Sequence, residues 1–168
     1  MTRSGLAAAW LAVACAATWT ADASAQQYLI GANLGLSSGI EGGGALGGLD
    51  MARLRMRLGA DLRIDESPDD ILEFGLLAEL LPKSGFGADV RYERAASDRF
   101  FVDAGALAIL APASLYGVCA GLTYRLPISK RTQITLGPEA DFFFLGTDLP
   151  DGTVIWQVRV QGGVRVDL

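Results

Sequence analysis

Met51-Ala52-Arg53-Leu54-Arg55-Met56-Arg57-Leu58-Gly59-Ala60-Asp61-Leu62-Arg63-Ile64 changes character at almost every residue. Met51, Arg53, Arg55, Arg57, Gly59, Asp61 and Arg63 hold one set of alternate positions, and apolar residues hold the other without exception. A period of two belongs to a β-strand, whose successive side chains point to opposite faces. One face here is oily and the other carries four arginines and an aspartate. Such a strand divides two very different environments.

The same alternation extends in both directions, in segments of roughly 10 to 14 residues broken by turn-formers. Upstream, Tyr28 to Ser37 reads as a first strand, followed by a Gly-rich loop from Ser38 to Gly48. Downstream, the arginine strand ends at an Asp65–Asp70 turn, where Ser67-Pro68-Asp69-Asp70 is strong turn chemistry. Further strands are expected over Ile71–Leu81, Phe86–Glu93, Phe100–Leu110, Tyr116–Leu126, Gln133–Phe144 and Val154–Leu168. Pro138 falls on the apolar face of the seventh and marks either a bulge with Gly137 or a strand boundary that lies elsewhere. Leu77, Leu81, Phe101, Leu107 and Phe143 fall on the otherwise polar face.

The first 25 residues read as a targeting segment rather than as part of the fold. Arg3 supplies a positive n-region, Leu6–Ala17 an apolar h-region, and Ala23-Ser24-Ala25 a small-x-small cleavage site. The apolar stretch is shorter than the about 20 residues a spanning helix needs. The expected organisation is a signal peptide, 1–25, and a single domain, 26–168. Removing Arg3 and Asp22 together leaves the net charge at −5, so no basic surface for nucleic acid is expected. Cys15 leaves with the signal, and Cys119 remains as a lone space-filling thiol without a disulfide partner.

Eight antiparallel strands with short connections predict an all-β, up-and-down barrel, because closure removes exposed edges. Two inversions of that barrel compete. A soluble, lipocalin-like barrel in the periplasm would enclose a ligand with its apolar face. A transmembrane barrel would turn the apolar face to lipid and the charges to the lumen. Three features favour the second. Aromatic residues cluster toward strand ends, with Tyr28, Phe74, Tyr92, Phe100 and Tyr124 near one rim and Phe86, Tyr116, Phe142, Phe144 and Trp156 near the other. Glycines such as Gly31, Gly59, Gly75 and Gly121 fall on the charged face, where a narrow lumen needs small neighbours beside long arginines. Strands of about 11 residues, tilted, are long enough to span hydrocarbon.

The charged face gathers Arg53, Arg55, Arg57, Arg63, Arg91, Arg125, Arg159 and Arg165 with Asp61, Glu73, Glu79, Asp89, Glu93, Asp103, Glu139, Asp141 and Asp167. It holds no lysine; Lys83 and Lys130 both sit in turns. A crowded interior favours arginine, whose planar fork makes several directed bonds to carboxylates. An ion-paired luminal network is therefore expected. Glu73 and Glu79 should answer the Arg53–Arg55–Arg57 ladder, and Asp167, Glu139 and Asp141 the other arginines.

Gln161-x-Gly163-x-x-Val166-x-Leu168 is similar to the C-terminal insertion signal of bacterial outer-membrane proteins, with Leu168 where that family usually has Phe. With the signal peptide, strand count and aromatic girdles, the chain resembles the small eight-stranded outer-membrane β-barrel superfamily, the opacity-like and outer-membrane-protein-A-like porin-family barrels. That resemblance implies a Gram-negative outer-membrane location, lipid and the barrel-assembly machinery as partners, and a monomer. It implies no single activity.

The sequence contains no histidine. Ser–His–Asp catalysis is thereby excluded, and with it most zinc chemistry. Glu139 and Asp141 could form a carboxylate pair, but arginine pairing is the plainer reading. Gly42-Gly43-Gly44 lacks the Lys-Ser/Thr of a phosphate loop. Asp148, Asp151 and Gly152 are too few for a calcium site. No enzyme activity, cofactor or metal is expected. The functional readings left open are a structural envelope barrel with at most narrow solute passage, a surface interaction or adhesion barrel, and the soluble ligand-binding barrel.

Overall fold

The computed structural model describes residues 28–44, 49–64, 67–147, 149 and 152–168. The proposed signal segment, the tip of the Gly-rich loop, Asp148 and Asp151 lie outside them. Eight strands follow in chain order: β1 (Tyr28–Gly43), β2 (Leu49–Ile64), β3 (Ser67–Leu81), β4 (Gly85–Ala95), β5 (Phe100–Ala111), β6 (Leu115–Pro127), β7 (Thr132–Gly146) and β8 (Ile155–Asp167). Each pairs antiparallel with the next, and β8 returns to β1 to close the barrel. At the seam Gly31 faces Asp167 and Gly43 faces Ile155, while the Leu168 amide donates to the Ile30 carbonyl at 2.9 Å. No sheet edge is left open.

One end of the barrel, here the proximal end, holds Tyr28, Leu168 and the turns before β3, β5 and β7. The distal end holds the connections before β2, β4, β6 and β8.

Two boundaries differ from the sequence expectation. Residues 38–43, expected as loop, continue β1, with Ser38 opposite both Leu54 and Val160, and Gly42 opposite both Leu49 and Trp156. Small residues carry little strand propensity, but ladder bonds on both sides hold them extended. Gly43 (φ +97°) and Gly44 (φ +73°) then turn the chain in a backbone region that favours glycine. At the other boundary, Ser67–Asp70 belongs to β3 rather than to a turn. The ladder to β4 begins only at Asp70, so Pro68 precedes the residues whose N–H groups that ladder needs.

Pro138 makes no bulge. Gly121 faces Glu139 and Tyr124 faces Leu136 in one unbroken register, and Pro138 itself pairs with Val160 of β8. The irregularity between β6 and β7 lies instead at Tyr116/Gly117.

The alternation resolves into an inside-out protein. Leu34, Leu58, Leu76 and Val160 are exposed by 52–61 % on the outer surface. Asp61 and Asp141 are fully buried, and Arg159 is 1 % exposed. Tyr92 and Phe100 are exposed near the proximal rim, and Phe86, Tyr116, Phe142 and Phe144 near the distal one. The Tyr92 hydroxyl donates to Asp70 at 2.6 Å, and Arg99 donates to the Tyr124 hydroxyl at 3.2 Å. Oily rings with polar tips turned to strand ends suit an interface between oil and water. Phe74 departs from the expected girdle. It faces Val90, one pair inward of Tyr92, because β3 starts earlier than its alternation suggested.

Inside, the apolar intruders have separate fates. Leu77, Leu107 and Phe143 join Ile109 and Cys119 in a buried cluster in the distal half, with Leu115 and Ile155 packed against it. Cys119 is a free thiol filling space there. The Phe101 ring lies under the Arg125 guanidinium, 3.8 Å from Cζ to centroid. Leu81 is not in the lumen; a register shift at Leu54/Arg55 leaves it 47 % exposed at the strand end.

Candidate functional site

Through the middle of the strands the odd-numbered positions face the lumen, and their charges form one connected net. It begins at the distal mouth, where Arg53 pairs with Glu41 and Gln157 donates to the same carboxylate at 2.7 Å. Gln157 in turn accepts from Arg55 at 3.0 Å and from Arg159. At mid-height Arg55 pairs with its cross-strand neighbour Glu79 and crosses the lumen to Asp141, 2.7 Å away. Arg159 bridges Asp141 at 2.6 Å and Glu139 at 2.8 Å. Arg91 reaches Glu139 from the opposite wall at 2.7 Å and also binds Asp89 at 2.7 Å. Asp103 stands further off, 3.5 Å from Arg91.

Asp89 continues the chain to Arg57 at 2.9 Å, and Arg57 meets Glu73 at 3.0 Å. Arg165 then links Glu73 at 3.5 Å to Asp61 and to Glu93, and Glu93 holds Arg125. At the proximal rim Arg63 pairs with Asp167, which lies 3.8 Å from Arg165. All eight luminal arginines belong to this net, which joins walls formed by all eight strands.

The geometry departs from the sequence reading at the ladder. Glu79 answers Arg55 and Glu73 answers Arg57, but Arg53 takes Glu41 of β1 instead of a β3 carboxylate. Glu41 lies in the segment whose composition reads as loop. Its parity with Gly35, Ser37 and Gly39 is the signal that places it on the luminal face. Asn33, which accepts from Arg57 at 2.8 Å, and Gln157 are neutral members that a search for charge passes over. Gln161, Gly163 and Val166 of the proposed insertion signal lie in β8, where Gln161 donates to Thr123 at 3.2 Å and Val166 faces outward.

Glycine makes this density possible. A Cβ built at Gly75 would overlap Asp89 Oδ1 and lie 2.7 Å from Arg57 Nε, in the middle of their ion pair. Gly75→Val is therefore expected to destabilise the barrel by about 1–3 kcal/mol through overpacking, read as a lowered urea midpoint. Charges this deeply buried are tolerable only when paired, and a net lets one side chain serve several partners. A chamber of about 50 Å³ remains in the net, lined by Arg57, Arg125 and Arg165, each with a buried nitrogen that makes no hydrogen bond within the protein. It is large enough for one or a few waters to supply those bonds.

No protein-family model and no curated protein matches this chain. Among solved structures, it is similar to Neisserial surface protein A, with a TM-score of 0.48 and 13 % identity over 84 % of this chain and 97 % of that one. It is also similar to a de novo designed transmembrane β-barrel, with a TM-score of 0.46 and 12 % identity over 86 % of this chain and all of the other.

Proposed function

We propose that this protein is an outer-membrane β-barrel with a structural role in the envelope, its lumen sealed by ion pairs rather than open as a pore. The observation that carries the reading is the pairing of an apolar exterior with a charged net crossing the interior. In water, contiguous oily surface on every strand would drive aggregation; in lipid it is the solvated face. The eight-stranded interior is about wide enough for side chains to fill, and here they fill it with mutually bonded arginines and carboxylates. The role is non-enzymatic, with lipid as the permanent partner, a single chain as the functional unit, and the assembly machinery engaging the β8 signal during insertion.

Fractionation with gel mobility tests the location. The protein is expected in the detergent-extracted outer-membrane fraction and to migrate differently before and after boiling, as a detergent-resistant closed barrel does. Recovery in the soluble periplasmic fraction without that shift would return the reading to a lipocalin-like barrel.

A further inference from the structure

Two neighbouring turns at the proximal end are built alike and present three cations that no carboxylate answers. In the β4–β5 turn the Ala96 and Ser97 amides donate to the Phe100 carbonyl at 2.8 and 3.1 Å, and the Ser97 hydroxyl accepts from the Phe100 amide at 3.3 Å. In the β6–β7 turn the Ile128 and Ser129 amides donate to the Thr132 carbonyl at 2.9 and 3.1 Å, and the Ser129 hydroxyl accepts from the Arg131 and Thr132 amides. Each turn is also tied to the strand beyond it: the Arg99 carbonyl accepts from the Arg125 amide and the Arg131 carbonyl from the Asp167 amide, both at 2.8 Å. Arg99, Lys130 and Arg131 are thereby held at the rim on well-bonded backbone, and all three are exposed. Among the described residues the nearby carboxylates are taken elsewhere, Asp70 by Arg94 and Asp167 by Arg63 and Arg165. Three cations against Asp98 alone give the two turns a net charge of +2. The remaining proximal connection is acidic in sequence, Asp65-Glu66, so the positive charge is confined to one side of the rim.

We infer that this side of the rim binds the phosphate of an anionic phospholipid, with Arg99, Lys130 and Arg131 as donors; the inference rests on the outer-membrane reading proposed above. What lies beneath the charges indicates the occupant. Arg99 leans toward the outer wall, where it donates to the Tyr124 hydroxyl at 3.2 Å, and the Tyr124 ring packs on Phe100 with centroids 5.2 Å apart. That single bond leaves the other guanidinium donors for phosphate oxygens. Phe100, Leu126 and Ile134 are exposed on the outer wall below, and Ile128, 62 % exposed, stands in the turn itself. An acidic soluble protein would engage the cations and leave this oily skin uncovered. A phospholipid covers both, with its chains along the wall and its phosphate at the rim. The excess positive charge selects a headgroup that is negative overall, since the cation of a zwitterionic one would be repelled.

Amide chemical shifts of the isotope-labelled barrel in phosphatidylcholine nanodiscs, titrated with phosphatidylglycerol as the minority lipid, test the site. Saturable shifts centred on residues 96–100 and 128–132 are expected, and none when phosphatidylethanolamine, which has no net charge, is titrated instead. Arg131→Gln should weaken the apparent affinity about fivefold, the effect of one cation at an anionic surface. Arg99→Gln, Lys130→Gln and Arg131→Gln together should abolish the response while the strand signals stay in place, because none of the three belongs to the ion-pair net. Lys83→Gln, at the opposite rim, should respond as the wild type does. Equal shifts with phosphatidylethanolamine, shifts centred on the distal turns or spread evenly around both rims, or a triple variant that still saturates would overturn the inference. So would the same shifts produced by a soluble acidic peptide in pure phosphatidylcholine discs, which would assign the cations to a water-borne partner. A barrel that enters the discs with a dispersed spectrum but shows no lipid preference would remove this site and leave the envelope reading intact. Failure to enter any bilayer would remove both.

Discussion

Arg159→Met is expected to lower the unfolding free energy in lipid by about 3–5 kcal/mol, the cost of leaving buried charges unanswered. Arg159 is 1 % exposed and bridges Glu139 and Asp141, two acidic residues on the same face of β7. Methionine keeps most of the side-chain volume and removes only the charge and its donors. Arg55 still faces Asp141 and Arg91 still faces Glu139, so the loss stays below a complete failure to fold. Glu139→Gln on the Arg159→Met background should recover about 1 kcal/mol or more, because residues within one net are not additive. Urea unfolding in lipid vesicles, followed through Trp156 fluorescence, measures both. A change under about 1 kcal/mol for Arg159→Met would mean that water already screens the site.

Leu58→Arg should cost about 2–4 kcal/mol, by a different route. Leu58 sits in mid-strand between Leu34 and Leu76, and all three are more than half exposed on the outer belt. An arginine there enters the hydrocarbon with no carboxylate opposite. In the same strand Arg57 is one residue away and answered by Asp89 and Glu73. The contrast is the useful part. In a water-soluble barrel Leu58→Arg would be nearly neutral, whereas across a bilayer it should rank among the most damaging single changes on the outer surface.

Much of this fold is legible in the chain because period two and burial coincide. Among the described side chains of β2 and β8 every outward residue is apolar, or glycine at Gly162, and most inward ones are polar or glycine, so strand and face follow directly. Legibility fails where side chains carry little information. The Ser38–Gly43 segment has no hydrophobic alternation strong enough to separate a strand from a loop; two neighbouring strands decide it. Ser67–Asp70 misleads in the opposite sense, since turn-forming residues occupy a strand start whose ladder is still incomplete.

The site divides similarly. Neighbours across one hairpin, such as Arg55 and Glu79, follow from register once the turn is placed. Partners across the lumen do not. Arg55 with Asp141, Arg91 with Glu139 and Arg165 with Asp61 depend on barrel closure and on the relative height of distant strands, quantities that no local pattern encodes. Gln157 shows the same limit: its amide gains importance only because closure seats it between the mouth pair and the central net.

Current through single barrels reconstituted in a planar bilayer tests the sealed lumen most directly. The wild-type protein should give no stable open level, with at most brief, small events. Glu73→Gln with Glu79→Gln, which removes acceptors from Arg57 and Arg55, should make such events larger and more frequent. Large, steady wild-type currents would contradict the sealed lumen and identify the barrel as a pore.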